Sequence, residues 1–362
     1  MKTMDKRWLS LIIFLPALLA LFAANYYIDP ANYFHDISKD VATAIVEGKK
    51  AGISSGNLDE RAVKYRLIQN LPDHVETIAV GPSLVMCVGE ELAGTESFYN
   101  LGVSGADFYD ILNQFGALEK YEIKYDRVIF CVDTYFFDEA LYQTLTRNEA
   151  LKPYAEYMIK KLEQQEVVPP EVSLKVSIKD QIKQLLSLSY FQAGVSLVQN
   201  NGLRNIFQPR WRTVDESYTD DYYCADGSWN YDAEYQQNGV EKVLSESKNY
   251  DIDFLFSANC HISDYSKYIF EKLIQYWQSK GVEVELMMVP LAPALWDRIS
   301  GNINRYPVIS ETEEFAINIS EKYNLRLIGS ENPYNMGISN EEFYDARHIK
   351  REMLGKYYDF SK

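Results

Sequence analysis

Three residues of this 362-residue chain have the types and the setting for acyl chemistry: Ser83, Asp345 and His348. A serine hydroxyl becomes a nucleophile beside a base, and the base needs a partner that holds its ring. Asp345 precedes His348 by three residues in Phe343-Tyr344-Asp345-Ala346-Arg347-His348, so one tight turn can set the carboxylate against the imidazole. Ser83 follows Thr77-Ile78-Ala79-Val80, which reads as a short buried strand broken by Gly81 and Pro82. The apolar run Leu84-Val85-Met86 comes next and can open a helix. The hydroxyl then stands at the carboxyl end of a strand, where open α/β sheets bind ligands. The free N–H groups of a helix start would lie beside it, suited to an oxyanion. Each part alone has a plainer reading, Ser83 as an N-cap and Asp-x-x-His as a solvated helix start. The combination of all three selects the chemistry.

The other histidines fit less well. His35 follows a long apolar segment, His74 lies in a Pro-Asp-His turn at the wrong end of the first strand, and His261 starts a helix and remains a second candidate base. The four cysteines, Cys87, Cys131, Cys224 and Cys260, match no zinc spacing. Cys87 and Cys131 fall in apolar stretches and read as buried thiols; a Cys224–Cys260 pair stays open. Asp220, Asp221 and Asp226 fit no EF-hand and read as solvated. No metal and no cofactor is expected.

Strands are expected near residues 77–81, 97–101, 127–133, 282–289 and 325–329. Helices over 107–121, 263–279, 311–323 and 349–358 alternate with them. This rhythm predicts an α/β fold, a three-layer, doubly wound, flavodoxin-like sheet of about five parallel strands in the order 2-1-3-4-5. Residues 31–74 read as a helical linker in two pieces, split around 52–56, and 75–362 as the α/β domain. Within that domain the rhythm stops over about 137–251, an insertion with helices over 154–164 and 178–197 and a long aromatic loop over 211–235. Tyr218, Tyr222, Tyr223, Trp229 and Tyr231 of that loop either stack on sugar rings or pin the loop to the domain.

A net charge of −16 argues against nucleic acid as a partner, since phosphate binding needs basic patches. Residues 8–28 carry no charged side chain. At 1.5 Å per residue they reach about 30 Å, the thickness of a bilayer core. Residues 1–30 therefore read as a membrane anchor. Lys2, Lys6 and Arg7 before the span and Asp29 after it put the N-terminus in the cytoplasm and the main domain outside. Trp8, Tyr26 and Tyr27 lie where interfacial aromatics belong, and Pro16 is tolerated in a membrane helix. The length of the segment and the poor cleavage site at Leu21-Phe22-Ala23-Ala24 favour an anchor over a signal peptide.

No Gly-x-Ser-x-Gly elbow is present, and acid and base share one loop near the end of the chain. In this the sequence resembles the SGNH (GDSL-like) hydrolase superfamily. Gly81-Pro82-Ser83 stands where that family has Gly-Asp-Ser. Asn100-Leu101-Gly102-Val103-Ser104-Gly105 resembles its second block, and Asp345 to His348 its final Asp-x-x-His block. The resemblance implies that the N–H groups of Ser83 and Gly105 form the oxyanion hole. The family's third block, Gly-x-Asn-Asp, is replaced by Cys131-Val132-Asp133-Thr134-Tyr135. Thr134 or Tyr135 could donate there; ionised Asp133 could not.

The apolar N-terminal segment, Tyr27-Ile28-Asp29-Pro30, Asp226-Gly227-Ser228 and Ile328-Gly329-Ser330-Glu331-Asn332-Pro333 narrow the resemblance. They look like the anchored SGNH-like proteins of bacterial cell-envelope polysaccharide clusters, related to alginate O-acetylation proteins and to the D-alanyl transfer protein of teichoic acid synthesis. The resemblance implies a serine acyltransferase or esterase, with an acyl group such as acetyl placed on or taken from an extracellular glycan. It also implies a multi-pass membrane O-acyltransferase as a partner. The altered third block supports an alternative, a catalytically weak partner of such an acyltransferase or a glycan-binding scaffold.

Overall fold

Runs of β-branched and apolar residues bounded by glycine, proline and charge give strands at the expected places in the computed structural model. It describes residues 6–54, 58–138, 149–174, 177–202 and 208–360, with the side chains of 6–13, 200 and 201 outside the description. In chain order the strands are β1 (Lys50–Ile53), β2 (His74–Val80), β3 (Phe98–Asn100), β4 (Lys124–Val132), β5 (Trp211–Val214), β6 (Tyr222–Tyr223), β7 (Trp229–Asn230), β8 (Glu283–Met288) and β9 (Arg326–Gly329). Five of them form a parallel sheet in the order β3-β2-β4-β8-β9, which is the expected 2-1-3-4-5. Ala79 lies opposite Asn100 and Ile129, and Cys131 opposite Met287.

Both faces of this sheet are covered, so its central strands are apolar on both sides. Val128, Phe130 and Val132 face the helices Phe108–Lys120 and Asp264–Ser279, in one core with Phe115, Phe270 and Trp277. The rings of Phe130 and Phe270 lie 4.9 Å apart, and those of Phe115 and Trp277 4.7 Å. Burying one such aromatic contributes about 3 kcal/mol. Ile129 and Cys131 turn the other way, onto Val85, Val88, Leu354 and Tyr358. That second layer is built from short segments, including the last helix, Arg351–Tyr357.

Three expectations are corrected. The stretch read as a helical linker contains two helices, Ser38–Val46 and Glu60–Asn70, but β1 lies between them. The aromatic loop is not a free loop: β5, β6 and β7 join β1 in a second, antiparallel sheet of order β5-β1-β6-β7. Linker and insertion thus complete one another, a pairing across about 160 residues that periodicity cannot reveal. The third correction concerns the N-terminus. Lys6–Ile28 is one helix with Pro16 inside it. Among the described residues no helix is long and apolar enough to cross a membrane, so the span over 8–28 is not supported. Lys2 and the side chains of Lys6, Arg7 and Trp8 lie outside the described residues. The end of this helix is packed on protein. Asn25 is buried and donates to the carbonyls of Gln184, Leu185 and Ser187, while buried Asp29 accepts the N–H groups of Tyr33, Phe34 and His35.

Candidate active site

β2 delivers Ser83 to the carboxyl edge of the parallel sheet. Gly81 makes the exit possible: it takes φ +150°, and a Cβ there would lie 2.6 Å from that of Cys131 on β4. The expected helix does not start at Leu84. Two tight turns follow instead, with Val85 N–H donating to the Pro82 carbonyl at 3.0 Å and Met86 N–H to that of Ser83 at 3.2 Å. The reason is competition for carbonyls. Asn100, at the end of β3, donates its amide to the carbonyls of Val85 and Val88, each at 2.8 Å, and Trp229 N–H takes that of Met86 at 2.7 Å. Acceptors that would propagate a helix are used by neighbouring strands.

Ser83 Oγ lies 2.8 Å from His348 Nε2, and His348 Nδ1 lies 2.8 Å from Asp345 Oδ2. A carboxylate on Nδ1 holds the proton there and leaves Nε2 as acceptor toward the serine. Asp345 is fully engaged. Its Oδ1 accepts the N–H groups of Arg347 at 2.7 Å and His348 at 2.8 Å, and its Oδ2 also accepts the Tyr235 hydroxyl at 2.5 Å. Burial would raise its pKa, but the His348 charge and these donors outweigh burial and hold it well below the usual carboxylate range.

The N–H groups of Ser83 and Gly105 donate to no acceptor among the described residues. Gly105 sits in the left-handed region at φ +53°. Its turn is held from the helix Glu60–Asn70: Glu60 accepts Ser104 N–H at 2.6 Å and its hydroxyl at 2.9 Å, and Arg61 reaches the Ser104 and Gly105 carbonyls at 3.3 Å. Arg61 is itself fixed by a two-point contact with Asp110, at 2.8 and 2.6 Å. Ser104 Oγ also lies 3.6 Å from Met86 Sδ, which sets this turn beside the Ser83 turn.

The altered third block has a structural task. Asp133 Oδ2 accepts from Arg347 Nη2 at 2.9 Å, while its Oδ1 accepts Tyr135 N–H at 2.9 Å and the Thr134 hydroxyl at 3.3 Å. Thr134 and Tyr135, expected as oxyanion donors, thus spend that hydroxyl and that N–H on Asp133. Arg347 stands between Asp345 and His348, so its buried ion pair ties the acid–base loop to the end of β4. Buried Glu331 adds a second carboxyl nearby; burial and the Asp133 charge push its pKa up, against the pull of Arg347.

The insertion supplies what sequence reasoning missed. Asp232 caps the short helix Ala233–Gln236, which carries Tyr235 to Asp345. Its hydroxyl is also 3.4 Å from His348 Nδ1, and its ring lies 4.5 Å from that of Tyr231. Burial, then the Asp345 charge, drives the Tyr235 pKa up, so the phenol stays a donor. The wider aromatic stretch is pinned to the domain, with Tyr223 4.7 Å from Trp229 and Lys64 over the Tyr223 ring at 4.9 Å. Lys64 is buried, which lowers its pKa to about 7, and it donates to the Asn100 and Gly227 carbonyls at 2.8 and 2.6 Å. Asp226 is not solvated: it accepts from Ser228 and from Glu90 N–H in a buried turn. None of the four cysteines forms a disulfide. His35, His74 and His261 lie against Asp29, Asp126 and Glu311 and not at Ser83.

No protein-family model and no curated protein matches the chain.

Proposed function

We propose that this chain is an SGNH-like serine acyltransferase or esterase that places or removes an acyl group, such as acetyl, on a cell-envelope polysaccharide. The reading includes attachment at a cell membrane through the N-terminal helix, with the main domain outside the cytoplasm and a multi-pass O-acyltransferase as partner. The observation that carries it is the continuous line from Ser83 Oγ through His348 to Asp345. Ser83 Oγ attacks the acyl carbonyl and gives its proton to His348 Nε2. The oxyanion is held by the N–H groups of Ser83 and Gly105. Collapse breaks the bond to the donor alkoxide, which leaves with the proton from His348, and the acyl group stays on Ser83. A glycan hydroxyl or water then loses its proton to His348, attacks the acyl-serine and restores Ser83. Asp345 keeps the imidazole oriented and stabilises its charged form.

Incubation of the full chain with p-nitrophenyl acetate followed by mass spectrometry should find acetyl on the Ser83 peptide, and Ser83→Ala should carry none. Glycan acylation in cells bearing Ser83→Ala should change in parallel. A second reading, a catalytically weak scaffold beside the acyltransferase, is favoured by one observation: Asp133 faces Arg347 where the resemblance calls for an oxyanion donor. An absent adduct together with unaltered glycan acylation in the mutant would leave that reading.

A further inference from the structure

The helix Ile178–Leu185, in the insertion, has no buried residue. Ile178, Ile182 and Leu186 recur every four positions on one stripe, and Leu188 opens the next helix. Ile178 is 75% and Leu188 67% exposed. The helix is nevertheless held firmly. Ser177 caps its start, accepting Asp180 N–H at 3.1 Å, and Asn25 of the N-terminal helix takes the three carbonyls at its end, at 2.9–3.1 Å. The following helix, Leu188–Asn201, packs on the N-terminal helix through Gly194, where a Cβ would meet Ile28 at 3.1 Å. On the N-terminal helix Phe14, Leu15, Leu18 and Leu19 are exposed as well. Between that face and Leu188 and Phe191 lies an apolar cleft of about 810 Å³. Exposed apolar surface therefore runs across three helices fixed to one another, more than an isolated soluble surface ordinarily shows.

Charge identifies the occupant. In a chain of net charge −16, residues 172–202 hold Lys175, Lys179 and Lys183 against Asp180 alone. At the helical repeat Lys179 and Lys183 fall along the edge of the apolar stripe, where their stems can cover apolar surface and their heads reach outward. A second copy of the same face would set lysine against lysine, whereas anionic lipid headgroups complement it. We infer that Ile178–Leu185 lies flat on an anionic lipid bilayer, beside the exposed face of the N-terminal helix, and fixes how the domain sits on the membrane. This extends the membrane attachment proposed above to a second element and is independent of the chemistry at Ser83.

The full chain with Cys224→Ser and Cys260→Ser, carrying an environment-sensitive label at Ile182→Cys, Leu18→Cys or Glu241→Cys, is reconstituted in phosphatidylcholine vesicles with and without phosphatidylglycerol. The label at 182 should be quenched from the aqueous side about threefold less than that at 241, the protection should grow with phosphatidylglycerol, and Lys179→Gln and Lys183→Gln should each lower the equilibrium constant for docking on the anionic vesicles about fivefold. It should persist as protein is diluted in lipid. Protection at 18 with none at 182 overturns this inference and leaves attachment through the N-terminal helix standing. Loss at both overturns both. Protection at 182 that disappears on dilution assigns the stripe to a second copy and overturns the bilayer. Thermal unfolding within a few degrees of the unlabelled chain verifies that each variant is folded.

Discussion

His348 and His261 begin alike and end differently. Each presents Nδ1 to a carboxylate, Asp345 at 2.8 Å and Glu311 at 2.6 Å. His348 has the Ser83 hydroxyl on Nε2, while nothing among the described residues hydrogen-bonds that atom of His261. The His348 side chain is 21% exposed and that of His261 66%. His261 lines an open cleft of about 780 Å³ with Glu311, Asp264 and Glu314, where water screens the pair. Asp345 also takes two backbone N–H groups and the Tyr235 hydroxyl; Glu311 takes one backbone N–H, from Ile262 at 3.0 Å. A histidine beside an acid is thus ordinary in this molecule. The His348 pair differs in that a serine hydroxyl completes the line and further donors leave the acid no other arrangement.

Substitutions can separate the two pairs. Ser83→Ala should lower acyl transfer about 10⁶-fold and Asp345→Asn about 10⁴-fold, while His261→Ala should stay within about twofold of the parent. A stopped assay of acetyl release measures all three, and equal losses at the two histidines would erase the distinction. Tyr235→Phe removes one hydrogen bond to a charged group. It should lower kcat about 10- to 100-fold with KM nearly constant, which distinguishes positioning from substrate binding.

Stability sharpens the same contrast. Arg347→Met leaves Asp133 buried without its cation and should cost about 3 kcal/mol in urea unfolding. His261→Gln loosens an exposed pair and should cost under about 1 kcal/mol. The smallest effect is in pH dependence. The folded pKa values of Asp345 and Glu311 are both held down, so each adds stability above the unfolded value, about 4, that is lost as pH falls through the folded one. Melting curves from pH 7 to pH 3 should lose more of this acid-side slope in Asp345→Asn than in Glu311→Gln. The reverse order would place the better-held carboxylate at His261.

Much of this was legible in the chain. Parallel strands buried on both faces are continuous apolar runs, so β2, β4 and β8 stand out, and their alternation with helices restricts the topology to few arrangements. Asp345 and His348 share one short turn, so local geometry brings them together. Ser83 was legible from its strand end and the Gly81-Pro82 break. The strand order followed from the doubly wound, flavodoxin-like pattern that this alternation predicts.

What the sequence could not carry lies in long-range competition for partners. The run after Ser83 has helical patterning, but Asn100 and Trp229 take its carbonyls, and turns form instead. Asp133 looked like a lost oxyanion donor until Arg347, over two hundred residues later, appeared as its partner. Tyr235 is one tyrosine among many, and only the pairing of β1 with β5 and β6 folds the insertion back so that its hydroxyl meets Asp345. Sequence alone determined which five strands form the parallel sheet and which acid faces which base, because burial and short turns are local properties; the antiparallel strands β1, β5, β6 and β7 escaped it. Tertiary structure alone decided which polar groups those residues finally satisfy, because a buried donor takes whichever acceptor packing brings to it.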